Sequence, residues 1–163
     1  MNYKMMGRFV GQIIAIEAVF MLPALGISVY KAETGAVTGF LIALAIMVLL
    51  GGVLLLSCRN APRIFGAREG LICVGASWAI LSLLGCLPFY ISREIPRFMD
   101  AFFEIVSGFT TTGSSILSNV ESLSKGLLYW RSFSHWLGGM GVLVFLLAIA
   151  PGGSDRGFTM HLL

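Results

Sequence analysis

Charge is what this sequence has least of. Only 12% of its 163 residues are Asp, Glu, Lys or Arg, against about 25% in ordinary soluble domains. That shortage excludes a water-facing globular surface, since 57% of the residues are hydrophobic. Cysteine is scarce as well. Cys58, Cys73 and Cys86 have no metal-ligand spacing and read as small buried residues. The net charge is +3 with no basic run; the cations are scattered at the ends of apolar runs, where they set membrane topology rather than bind nucleic acid. Lys4 and Arg8 precede an apolar run with no clean small-residue cleavage site after it. The run therefore reads as a retained helix or signal anchor.

Long apolar runs are what the chain does have. At about 20 residues per membrane span, it holds four long helices and one short re-entrant element. The first run, 9–30, carries Glu17 and Pro23; the second, 36–57, is almost continuously apolar. Arg59, Pro62, Arg63 and Arg68 then form a basic loop around Gly66. The third run, 70–91, includes Gly75, Ala76, Ser77, Gly85 and Pro88, small residues and a proline that suit close helix packing. Asp100 is placed to cap a helix over 100–109. Some ten residues cannot cross about 30 Å of hydrocarbon, so this helix dips in and stops. The last run, 127–150, ends at Pro151-Gly152-Gly153.

The expected fold is an all-α membrane protein. Residues 1–60 form a two-helix transmembrane hairpin. Residues 61–151 form a helix, pore loop and helix: outer helix 70–91, re-entrant pore helix 100–109, filter 110–115 and inner helix 127–150. Residues 152–163 are a short polar tail. With cytoplasmic termini, Lys4, Arg8, Arg59, Arg63, Arg68 and Arg156 lie inside, opposed only by Glu69 and Asp155. That basic bias places the N-terminus in the cytoplasm of a multi-pass protein of the cell inner membrane.

Ser107-Gly108-Phe109-Thr110-Thr111-Thr112-Gly113-Ser114-Ser115 does not fit a lipid-facing helix. Polar irregular backbone at membrane depth is tolerated only where it is buried in protein or lines a watery path. Backbone carbonyls and threonine hydroxyls can replace the hydration shell of an alkali ion, and a glycine frees the backbone to aim them. The pore helix would point its negative C-terminal end at a cation. One strand cannot surround an ion, and a potassium-channel filter uses four.

Asp100-Ala101-Phe102-Phe103-Glu104 leads into the threonine run. Trp130-Arg131-Ser132 and Trp136-Leu137-Gly138-Gly139-Met140-Gly141 open the next helix. In these two motifs, and in the helix pair before them, the chain resembles the Trk/Ktr/HKT superfamily of potassium transporters, most of all the membrane subunit of bacterial Trk systems. The resemblance implies four pore-loop repeats around one pore, a homodimer, membrane lipid contacts, and a cytoplasmic TrkA-like nucleotide-binding regulatory subunit. It implies K⁺ as the transported ion and no covalently bound cofactor. It makes Gly113 the filter glycine, with the carbonyls of Thr111, Thr112, Gly113 and Ser114 facing the ion and Thr110 preceding them. The chain stops after one repeat, so the resemblance implies the N-terminal part of a longer protein. Assembly of four copies is the alternative.

Other residues carry two readings each. Glu17 is an ion or proton ligand, or a protonated or internally paired group. Glu104 and Arg131 either face water or brace the pore helix as an ion pair; separation beyond about 6 Å would exclude the pair. His135 is a polar packing residue or a proton relay. Trp130 and Trp136 read as interface anchors, and Gly138, Gly139 and Gly141 as a close helix crossing or a hinge. Two further functions compete with ion uptake. One is a non-conducting assembly or regulatory module. The other is an intramembrane serine protease with Ser107 or Ser114 as nucleophile and His135 as base, although the first glycine of Gly-x-Ser-Gly is absent before Ser107.

Overall fold

The structure, a computed structural model, describes residues 3–58 and 67–149. Arg59, Pro62, Arg63, Pro151 and the tail 152–163 lie outside the described residues. The described elements are helical: α1 (Tyr3–Tyr30), α2 (Thr34–Ser57), α3 (Ala67–Gly85), α4 (Leu87–Ile91), α5 (Phe98–Phe109), a 3₁₀ turn (Val120–Ser122) and α6 (Lys125–Ile149).

Among the described residues, three stretches are long and apolar enough to cross a membrane: Tyr3–Tyr30, Thr34–Ser57 and Ile72–Ile91. At 1.5 Å per residue, the 28 residues of α1 extend about 42 Å. Helix α6 has 25 residues. The hairpin has an apolar side that is open in this chain. Val48, Leu49, Val53 and Leu56 on α2 stand open, an apolar surface that water would penalise and hydrocarbon does not.

Helices α1 and α2 turn back on each other through Lys31–Glu33, with Ala32 in a left-handed conformation at φ 55°. They cross closely because Gly11 and Gly51 meet there: a Cβ on Gly11 would stand 3.4 Å from the Gly51 carbonyl oxygen and 3.1 Å from Leu54. Pro23 lies inside α1 without ending it.

The third apolar run is two helices rather than one. It breaks at Cys86, between Gly85 and Leu87. Pro88, in the first turn of α4, has no N–H to continue the ladder. The displaced segment fits against α2 at Gly39, where any Cβ would come within 2.7 Å of the Pro88 carbonyl oxygen.

The short fifth helix begins at Phe98, earlier than Asp100. Arg97 occupies the capping position without a side-chain bond, and Asp100 sits in the first turn, where a carboxylate favours the positive end of the helix. Helix α5 packs against α3, α4 and α6, and together with α1 and α2 they share one core that includes Phe40, Phe89, Ile105, Phe109, Leu127 and Trp130. Trp130 is fully buried, and its indole N–H donates to the Gly85 carbonyl at 3.0 Å. It is therefore a core residue that stabilises the α3–α4 break, not an interface anchor. Trp136, 54% exposed, keeps a position suited to the interface.

Candidate functional site

Helix α5 ends by folding the chain back over its own last carbonyls. Thr110 N–H donates to Val106 O at 2.8 Å, Thr111 N–H to Gly108 O at 2.9 Å, and Thr112 and Gly113 N–H to Ser107 O at 3.0 and 3.4 Å. Thr111 and Gly113 hold left-handed backbone, φ 56° and 75°. A Cβ at Gly113 would meet nothing within 4 Å. Glycine is favoured there by its backbone angle rather than by crowding.

This pattern fixes where the carbonyls go. No cis peptide bond occurs among the described residues, and in a trans peptide the C=O and the following N–H point in opposite directions. The N–H groups of Thr111, Thr112 and Gly113 turn toward the end of α5. The carbonyls of Thr110, Thr111 and Thr112 therefore turn away from it, three in succession on one side. Among the described residues, the Thr111, Thr112 and Gly113 carbonyls accept no hydrogen bond. Thr110 O accepts from the Thr111 hydroxyl at 2.7 Å, and Ser114 O from the Ser107 hydroxyl at 2.6 Å. Each keeps one further lone pair. Residues 110–116 are exposed in this chain, leaving the carbonyl side uncovered.

The threonine hydroxyls stiffen the turn. Thr110 Oγ1 bonds Val106 O and Thr112 Oγ1, both at 2.8 Å. Beyond Gly113, the strand is held by Glu104. Its Oε1 accepts from Ser115 Oγ and from Ile116 N–H, each at 2.6 Å, and its Oε2 accepts from Arg131 Nε at 2.8 Å. The Glu104 side chain is wholly buried, and Arg131 is nearly so. One carboxylate thus ties α5, the segment that leaves it and α6 together through charge-assisted bonds.

Helix α6 approaches α5 on glycine. A Cβ at Gly138 would overlap the Phe109 backbone, and one at Gly108 would overlap Ser134. The start of α6 is held from two distant loops. Glu33 accepts from Lys125 and Gly126 N–H at 2.7 and 3.1 Å, and Glu94 accepts from Ser124 N–H at 2.8 Å. Both carboxylates satisfy helix N-terminal donors that otherwise lack partners.

The structure thus brings Thr110, Thr111, Thr112, Gly113, Ser114, Glu104 and Arg131 into one assembly. His135 joins it only at the edge, with Nδ1 2.8 Å from Arg131 O. The Ser107 hydroxyl is committed to Ser114 O and His135 to Arg131 O. Among the described residues, no hydrogen bond joins His135 to Ser107 or Ser114, the base and the two candidate nucleophiles of the protease reading. Sequence reading gave Ser107 a different role, as a candidate nucleophile, and missed the bracing roles of Ser115, Glu33 and Glu94. Ser107 and Ser115 flank the threonine run and carried a signal as hydroxyls in a short polar stretch. Glu33, 92 residues from its partner Lys125, carried none.

Comparison with known proteins places these features in context. The family described as "TrkH: Cation transport protein" matches residues 37–157. The Trk system potassium uptake protein TrkH of Halomonas elongata is 34% identical over 162 residues, covering 99% of this chain and 33% of that protein. The TrkH of Escherichia coli K12 is 35% identical over 156 residues, 93% of this chain and 31% of that one. The crystal structure of the potassium transporter TrkH from Vibrio parahaemolyticus superposes with a TM-score of 0.85 at 30% identity, over 96% of this chain and 34% of that chain. The chain spans about a third of the length of these relatives.

Proposed function

The chain belongs to the TrkH family of cation transport proteins, and on that premise we propose that it supplies one filter strand of a potassium uptake pore. The observation that carries this reading is the row of carbonyls from Thr110 to Thr112 turned away from the end of α5, followed by the unbonded Gly113 carbonyl. Such oxygens can replace water around a monovalent ion passing the negative end of the pore helix. Thr111, Thr112 and Gly113 make the principal contacts. Thr110 and Ser114 contribute through their remaining lone pairs.

Selectivity arises when three more strands close the ring, and these come from later repeats of a longer chain. Membrane voltage and the ion gradient supply the drive, so no covalent chemistry is needed. The working assembly is a dimer in the inner membrane, with cytoplasmic termini and a nucleotide-binding regulatory subunit beneath it. By itself, this stretch of chain does not conduct.

The test is Gly113→Ser in the full-length protein, with K⁺ and Na⁺ uptake measured side by side. Reduced preference for K⁺ over Na⁺ is expected. Unchanged selectivity in a folded variant would count against the filter assignment. Liposomes containing only residues 1–163 are expected to show no K⁺ flux; flux there would favour a ring of four copies.

A further inference from the structure

The hydroxyls of this chain's helices have a common habit. Those of Ser77, Ser82, Ser132 and Ser134 each donate to a carbonyl three or four residues back on the same helix, the usual resting place of a helical serine. Ser107, on α5, does not. Its side chain is buried, 4% exposed, and its hydroxyl reaches seven residues forward to the Ser114 carbonyl at 2.6 Å. Among the described residues no other donor reaches that carbonyl.

The two oxygens of Ser107 act on the threonine run in opposite senses. Its carbonyl draws in the N–H groups of Thr112 and Gly113, which turns the preceding carbonyls outward. Its hydroxyl draws in the Ser114 carbonyl itself and occupies one of that oxygen's two lone pairs. Ser114 is thereby a weaker ligand than Thr111, Thr112 or Gly113, whose carbonyls accept no bond among the described residues. The number and field strength of the coordinating oxygens bear on the choice between K⁺ and Na⁺. Na⁺ is smaller and holds its water more tightly, so a stronger oxygen field favours it. We infer that the Ser107 hydroxyl is a positioning residue for ion selectivity, holding the Ser114 carbonyl back so that the row keeps the weaker field suited to K⁺. The inference rests on the reading of residues 110–114 as ion ligands. Ser114 lies in an exposed stretch, so its carbonyl is free to turn toward the ion once the hydroxyl is removed.

The test measures K⁺ and Na⁺ uptake by the full-length protein in liposomes, for the unaltered chain, Ser107→Ala, Ser107→Thr and Gly113→Ser. Ser107→Ala is expected to lower the preference for K⁺ over Na⁺ by about two- to tenfold, the worth of one neutral hydrogen bond. Ser107→Thr keeps the hydroxyl and is expected to keep the preference. A brace without a part in selectivity would lower both fluxes alike and leave their ratio unchanged. An unchanged ratio in folded Ser107→Ala, with a changed one in Gly113→Ser, overturns this inference and leaves the filter reading standing. An unchanged ratio in both overturns the two together. A shift in Ser107→Thr as large as in Ser107→Ala also overturns it, since side-chain size and not the hydroxyl would then govern. Thermal melting of each variant separates altered selectivity from lost folding.

Discussion

Glu104 and Glu17 are both carboxyls withdrawn from solvent in an apolar helical chain, and their surroundings are opposite. Glu104 receives bonds from Ser115, Ile116 and Arg131. Glu17 receives none among the described residues. The first is a fixed charge, compensated on every side, and its work is to hold three segments in register. The second is uncompensated. It contributes no hydrogen bond to the fold among the described residues.

The comparison can be broken most directly at Glu104. Glu104→Ala leaves Arg131 without its partner, and removing one member of a buried pair costs about 3–5 kcal/mol. A large fall in thermal stability and loss of K⁺ uptake are expected in the full-length protein. A loss of stability below about 1 kcal/mol, the scale of an exposed pair, would reduce Glu104 to a surface charge. Gly138→Ala should come next. Its methyl group meets the Phe109 backbone, and overpacking of this kind costs about 1–3 kcal/mol, readable as a lowered melting temperature. Gly113→Ala comes third, at about 1–2 kcal/mol for left-handed backbone in a residue with a Cβ. Its cost should appear without any packing defect, because the surrounding space is open. The smallest effect is expected from Glu17→Gln. A neutral group of the same shape removes no existing bond, so stability should shift by about 0.5 kcal/mol or less. A Glu17→Gln variant as unstable as Glu104→Ala would abolish the distinction between the two carboxyls.

Much of this arrangement was legible in the sequence. The shortage of charge and the spacing of apolar runs gave the helical membrane architecture. The ten residues before Thr110 were too few to span a bilayer, which pointed to a short helix, and a short helix is found over Phe98–Phe109. Glu104 and Arg131 were candidates because each stands in an apolar flank where a lone charge is expensive; their oxygen and nitrogen lie 2.8 Å apart. What stayed hidden depended on contacts between distant segments. Trp130 looked like an interface residue until its indole was found on the Gly85 carbonyl. The break at Cys86 was not evident because Pro88 is tolerated inside many membrane helices, and only its contact with Gly39 on α2 shows why the chain steps aside here. The Ser107 hydroxyl was read only as a candidate nucleophile, and its bond to the Ser114 carbonyl is a contact the sequence did not reveal.

The grip of Glu33 on the first amides of α6 has a consequence for the whole assembly. The N-terminal hairpin is not an appendage that the rest of the chain can shed. Its turn serves as a latch for α6, and a chain begun at residue 67 would keep the whole threonine run while losing the fastening at the start of that helix.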